Sequence, residues 1–450
     1  MKADPMNLRC TFSTLFACAV IVAVALSATL IATPAEAVEL SATEQKIIAA
    51  IKARSPAAIQ FLERSVNINS GTMNTPGVKE VGRLYRTELD NLRFATQWIE
   101  MPPAMARAGH LLASREGTQG KRLLLIGHLD TVFEKDSPLQ RWQRNGDTVS
   151  GPGASDMKGG NVIIIEALRA LHSVGALENT SIKVMFSGDE ERPGSPLEIA
   201  RADLVSAAKR SDIALGFEGT VTRDGKDTAT IGRRASSSWT LKVSGKQGHS
   251  AGVFNQASGY GAIFEASRIL NAFREQLIEA DVTFNPGIVL GGTEVAYDAV
   301  GAKGTGYGKT NIIANTTHVE GDLRFLSDEQ RDRVRARMRA IAAQNLPGTS
   351  AEISFKDGYP PMSPTAGNLR VLDLYSAASI DAGLGPIAPL PPGLRGAGDV
   401  QFVAPYVDSL DGIGATGSGA HSPNETLDVP SIERATIRAA LLIYRLTRPQ

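Results

Sequence analysis

The sequence predicts an α/β protein whose main domain is built on a mostly parallel sheet and is interrupted by an α+β insertion of split βαβ, ferredoxin-like order. Three observations carry that expectation. Apolar strand-like runs alternate with amphipathic helices from about 43 to 228, half-exposed strands and two helices follow from about 231, and a second α/β stretch runs from about 361 to the end. A chain of 450 residues is too long for one ordinary core, so at least two domains are expected. The boundaries fall at 1–37 for a signal peptide, 38–230 and 360–450 for the two parts of the main domain, and 231–359 for the insertion.

The first 37 residues carry Lys2 and Arg9, the apolar run LFACAVIVAVALSATLIA (15–32), and then the small-x-small pattern Ala35-Glu36-Ala37. This reads as a secretory signal cleaved after Ala37, which would export the mature chain to the periplasm or beyond. An uncleaved anchor is the competing reading, because the run is near the length that spans a bilayer. Both cysteines, Cys10 and Cys18, lie in this segment. The mature chain then has no disulfide, and any metal site must use His, Asp and Glu. Across the whole chain 47 Lys+Arg balance 47 Asp+Glu, which removes the charge argument for nucleic acid or an anionic membrane surface.

In the main domain, RLLLIGHLDTV (122–132), SIKVMFSG (181–188) and SDIALGFEG (211–219) read as strands, with NVIIIEALRALHSVGAL (161–177) as the helix after the first of them. Near-continuous apolar runs are what strands covered on both faces require. In the insertion, SSSWTLKVSG (236–245) alternates like a half-exposed strand, 259–277 and 327–345 are helical, and 281–292, 310–326 and 350–359 are strands. The glycine-rich stretch 301–308 reads as a loop. Its continuation GTGYGKT (304–310) ends like a phosphate-binding loop, but Lys303 stands where that motif needs glycine, so the nucleotide reading fails.

Six histidines sort by context. His172 in a helix and His110 in a strand-like run read as packing or surface residues, and His318 has no assigned role. His128, His249 and His421 sit beside glycine or alanine in turn-like settings. In GHLDT (127–131), His128 and Asp130 lie two apart at a strand end and share a side, so the carboxylate can orient the imidazole. Asp156 follows in GPGASDMKGG (151–160), Glu190 and Glu191 in SGDEERPGS (187–195), Glu218 in LGFEGT (215–220) and His421 in SGAHSPNE (418–425). Alone, the acidic run Asp189-Glu190-Glu191 reads as a solvated turn. Two histidines and several carboxylates at the ends of strands in one sheet point instead to a metal-assisted reaction.

With GKQGHSAG (245–252) added, the order and spacing of these motifs resemble the di-zinc amidohydrolases that include glutamate carboxypeptidase, aminoacylase and succinyl-diaminopimelate desuccinylase. The resemblance implies one Zn²⁺ on His128, Glu218 and Asp156 and a second on His421, Glu191 and the bridging Asp156, where Co²⁺ or Mn²⁺ would also be accepted. It implies Glu190 as general base and Asp130 as the group orienting His128. His249 would reach the site of a partner subunit and stabilise the oxyanion, which implies a homodimer built through the insertion. Asn311 and Arg324 match the positions that hold the substrate carbonyl and carboxylate. GLRGAGDVQF (393–402) resembles the substrate loop, with Gly396-Ala-Gly-Asp399 in place of Gly-Gly-Thr-Asp. The expected function is an exported, carboxypeptidase-like metallopeptidase acting on small peptides, with no nucleic acid partner and no membrane contact after signal cleavage. An N-acyl amino acid deacylase is the alternative, and an inactive exported substrate-binding protein the remote one.

Overall fold

The computed structural model describes residues 38–299 and 301–449, so the signal peptide read at 1–37 lies outside them. The strand Gln119–His128 lies inside a six-stranded sheet, parallel to Thr180–Ser187 on one side and to Ile213–Gly216 on the other. Asp408–Leu410, from the chain that returns after the insertion, adds parallel to Ile213–Gly216. His110–Arg115 and Ala95–Ile99 extend the opposite edge in antiparallel pairing.

Side chains alternate across a strand, and Leu123 to Ile126 divide accordingly between two cores. Leu123 and Leu125 join the larger core, with Ile163 and Leu168 of helix Gly159–Ser173 and Leu441 and Leu442 of helix Val429–Leu446. Leu124 and Ile126 face Leu204, Val400 and Val403. Covering both faces buries the whole apolar run, and each fully buried Leu or Ile contributes about 1.5–3 kcal/mol. The first helix, Ala42–Val66, starts at a capping box in which Ser41 and Glu44 satisfy each other's backbone N–H groups.

The insertion forms a four-stranded antiparallel sheet in the order Thr283–Gly292, Thr316–Arg324, Ser237–Gly245, Thr349–Asp357. Alternate residues Trp239, Leu241 and Val243 pack under helices Ala262–Gln276 and Asp328–Ala342, against Ile269, Phe273, Val334 and Met338. The split βαβ order is present, with short added pairings. The 301–308 stretch expected as a loop contains the strand Lys303–Tyr307, paired with Glu294–Asp298 as a hairpin. Its glycines hide it in the sequence, because they carry little strand preference of their own. The two segments that connect the insertion to the main domain run side by side, Arg233 and Met362 exchanging backbone hydrogen bonds of 2.9 and 3.0 Å. Among the described residues no helix is long and apolar enough to cross a membrane.

Candidate metal centre

The chemistry-bearing residues collect where the parallel strands end. His128 closes Gln119–His128, Glu190 and Glu191 follow Thr180–Ser187, and Glu218 follows Ile213–Gly216. Asp156 lies in the turn before helix Gly159–Ser173, and His421 in the loop between Gly417–Ser418 and Thr426–Asp428. Two glycines permit this convergence. A Cβ at Gly127 would strike Asn161 of the covering helix, and one at Gly160 would strike the Phe217 carbonyl beside Glu218.

His128 Nε2 is 3.3 Å from Asp156 Oδ1 and 3.6 Å from Glu218 Oε1. His421 Nε2 is 3.1 Å from Asp156 Oδ2 and 3.0 Å from Glu191 Oε2. Within each trio, His128–Asp156–Glu218 and Asp156–Glu191–His421, the donor atoms lie within 4.8 Å of one another. Asp156 thus presents one carboxylate oxygen to each trio, the arrangement a bridging ligand needs.

The supporting shell explains the three adjacent carboxylates. Asp130 approaches His128 Nδ1 through its backbone carbonyl at 2.9 Å and its carboxylate at 3.5 Å, which favours the proton on Nδ1 and leaves Nε2 free to coordinate. The Asp130 carboxylate also accepts hydrogen bonds from Thr72 Oγ1 at 2.6 Å and from the backbone N–H groups of Glu190 and Glu191 at 3.0 and 3.1 Å. One buried aspartate therefore clamps both the first histidine and the acidic loop. Asp189 points away, buried against Arg201 Nη1 at 2.6 Å and the Gly194 N–H at 2.7 Å. Glu425 accepts from the N–H groups of Ser155 and Asp156 at 2.9 and 3.2 Å and so holds the Asp156 turn. Within SGAHSPNE, Glu425 has no role legible in the sequence, because no spacing rule links it to a turn 270 positions away.

Charge is crowded here. Burial pushes the carboxyl groups of Glu190 and Glu191 above their usual range, Glu190 well above it. Burial and then the charge of Asp156 push Glu218 up to about 7. Hydrogen bonds to Asp156 and then Glu191 push His421 up to about 11. Glu191 Oε1 is buried with no hydrogen-bond partner. Carboxylates so buried call for cations, and this oxygen and nitrogen donor set fits two divalent ions. Elemental analysis of the purified protein is expected to find about two divalent ions per chain, with activity lost to a chelator. Full activity surviving chelation, without stoichiometric metal, would contradict this assignment.

The other residues singled out in the sequence lie in the insertion. His249 is exposed in the short strand Gly248–His249, paired with Ile312–Ile313, and its Nδ1 accepts from the Ala251 N–H at 3.2 Å. Asn311 is exposed beside it, its carbonyl accepting from the Ser250 N–H at 2.9 Å. The structure therefore brings these two together. Arg324 ends the strand Thr316–Arg324 and is ion-paired with Asp322 at 3.0 Å. These contacts of all three lie within the insertion, not in the trios. His110 is buried, its Nε2 3.0 Å from the Ala200 carbonyl, whereas His318 pairs with Glu320 at 2.8 Å and stacks on Tyr297.

A mixed α/β domain with two imidazole–carboxylate trios at its strand ends defines a metal-binding hydrolase. Residues 124–445 match the peptidase family M20/M25/M40, and the chain belongs to that family. It is 29% identical over 400 residues to carboxypeptidase G2 of Pseudomonas sp. (strain RS-16), with 87% of this chain and 89% of that protein covered. It is 25% identical over 386 residues to succinyl-diaminopimelate desuccinylase of Delftia acidovorans, with 83% and 94% covered. The crystal structure of the Bacillus subtilis YXEP protein, described as a dinuclear metal-binding peptidase of the M20 family, shares the fold with a TM-score of 0.62 at 15% identity, covering 88% of this chain and 99% of its own.

Proposed function

We propose that this chain is an exported dinuclear zinc hydrolase that releases a C-terminal amino acid from small peptides. The observation that carries the reading is the pair of trios sharing Asp156, with the half-buried Glu190 beside them. Two bound divalent ions would supply an acidified water and a polarised amide carbonyl. Glu190, whose proton affinity burial has raised, takes the proton from the attacking water and delivers it to the leaving nitrogen. Asp130 holds the backbone of Glu190 and Glu191 so that one side chain can move protons while its neighbour ligates. The relationship to carboxypeptidase G2 supports cleavage at a C-terminal residue, and that to the desuccinylases supports the second reading, an N-acyl amino acid deacylase. Assaying the metal-loaded protein on dipeptides with C-terminal Glu, Asp or neutral residues, beside N-acyl amino acids, decides between them. Hydrolysis of neither class would refute both.

Export rests on the apolar run and Ala35-Glu36-Ala37, and N-terminal sequencing after secretion should begin at Val38. A homodimer is the proposed assembly. Exposed Phe254 and Phe264 lie with ring centroids 5.2 Å apart, tilted at 59°, on the insertion, an apolar patch suited to a second copy. His249 is exposed on the same insertion, free to reach a partner's site. Mixing His249→Ala chains with Glu190→Ala chains is expected to restore part of the activity, since a mixed dimer keeps one complete site. A strictly monomeric protein with full activity would exclude this assembly.

A further inference from the structure

We propose that Arg395 is a specificity-determining residue that binds a carboxylate of the substrate beside Glu218. The loop 393–399 is anchored by its backbone, and Arg395 is its one basic side chain. Arg233 donates to the carbonyls of Gly396 and Ala397 at 2.9 Å, and Arg234 to that of Gly393 at 3.4 Å. Gly393 and Gly396, on either side of Arg395, border open space, since a Cβ at either would meet nothing within 4 Å. Arg395 itself reaches inward. Its Nη1 donates to the carbonyl of Gly219, next to Glu218, at 2.9 Å, and its Nη2 lies against Gly412.

The two guanidiniums at this place differ in how their charge is met. Arg233 is paired with Asp411 at 2.5 Å. Arg395 forms no ion pair among the described residues, and its Nε is buried without a hydrogen-bond partner. Burial and the like charge of Arg233 weigh against its positive charge, and the negative charges that favour it are those of Asp411, Glu218 and Asp156. Asp411 already serves Arg233, and in the proposed hydrolase Glu218 and Asp156 serve the ions. Arg395 is then an uncompensated cation at the edge of the reaction centre, with a planar fork suited to a carboxylate. By contrast, the charge of Arg324 is already met by Asp322.

The inference rests on the proposed amide hydrolase, whose product is an amino acid, and favours one bearing carboxylates. Its test is calorimetric binding of glutamate, glutamine and isoglutamine to the metal-loaded protein and to its Arg395→Met and Arg395→Lys variants. Glutamine neutralises the side-chain carboxyl and isoglutamine the α-carboxyl, so the pair distinguishes which group Arg395 holds. Glutamate affinity is expected to fall roughly 10- to 100-fold in Arg395→Met and less in Arg395→Lys, the range of a charge-assisted hydrogen bond. Against the amide of the recognised carboxyl, the substitution should cost little. An equal loss for all three ligands would make Arg395 a mere prop for Gly219 and overturn the proposal, as would unchanged affinities. Glutamate binding that depends on Arg395 in a protein that hydrolyses no amide would sustain this inference while refuting the proposed function.

Discussion

Replacing Glu190 with Gln is expected to leave the metal content at its wild-type level and to cut turnover by roughly 10²–10⁴-fold, the usual contribution of a positioned general base. Glu190 lies outside both donor trios, so in the proposed mechanism the change removes a proton carrier without removing a ligand. Its backbone anchors survive the substitution, because the Glu190 N–H still donates to Asp130 and the Tyr359 hydroxyl still donates to the Glu190 carbonyl at 3.0 Å. Substrate affinity should therefore persist. The adjacent change Glu191→Gln should behave differently, because a neutral amide replaces a carboxylate within hydrogen-bond reach of His421 and leaves the ions' charge less compensated. Metal content should fall, and turnover with it. Metal analysis and kinetics on the two variants separate the roles, and a fully active, metal-replete Glu190→Gln protein would refute the assignment.

The second large effect falls on stability. Arg201 is buried, donating to Asp189 at 2.6 Å and to Asp399 at 2.7 Å, with its guanidinium 5.6 Å from the centroid of the Phe402 ring. Arg201→Met would strand two buried carboxylates, and the cost expected for breaking a buried ionic group is about 3–5 kcal/mol. Denaturant unfolding measures it. The damage should also reach catalysis, because Arg201 ties the loop of Asp189, Glu190 and Glu191 to Asp399 of the 393–402 segment. A loss below about 1 kcal/mol would mean that water or a rearranged partner satisfies these carboxylates in place of Arg201.

Several features are legible in the chain because they depend on local pattern. Continuous apolar runs mark the inner strands, alternation at Trp239, Leu241 and Val243 marks the insertion's sheet, and residues at strand ends mark the site. The hairpin Glu294–Asp298 with Lys303–Tyr307 was not legible, since glycine disguises its second strand. Arg201, Arg233 and Tyr359 carried no signal at all. A lone arginine or tyrosine reads as surface until its partner is known, and Arg201 meets Asp399 across 198 positions.

The sequence by itself determined the kinds of ligand, their order and the class of sheet that presents them, because these follow from residue chemistry and short-range periodicity. Only the tertiary structure decided which carboxylate meets which imidazole. His421 comes to Glu191 and Asp156 because the chain after the insertion returns to the first sheet and packs helix Val429–Leu446 against Gly159–Ser173. Tertiary packing also buries Asp130 beneath two backbone N–H groups and leaves the Arg395 Nε without a hydrogen-bond partner. The physical reason is that burial and pairing are properties of three-dimensional neighbourhoods, whereas the spacing of residues along a chain constrains only those a few positions apart.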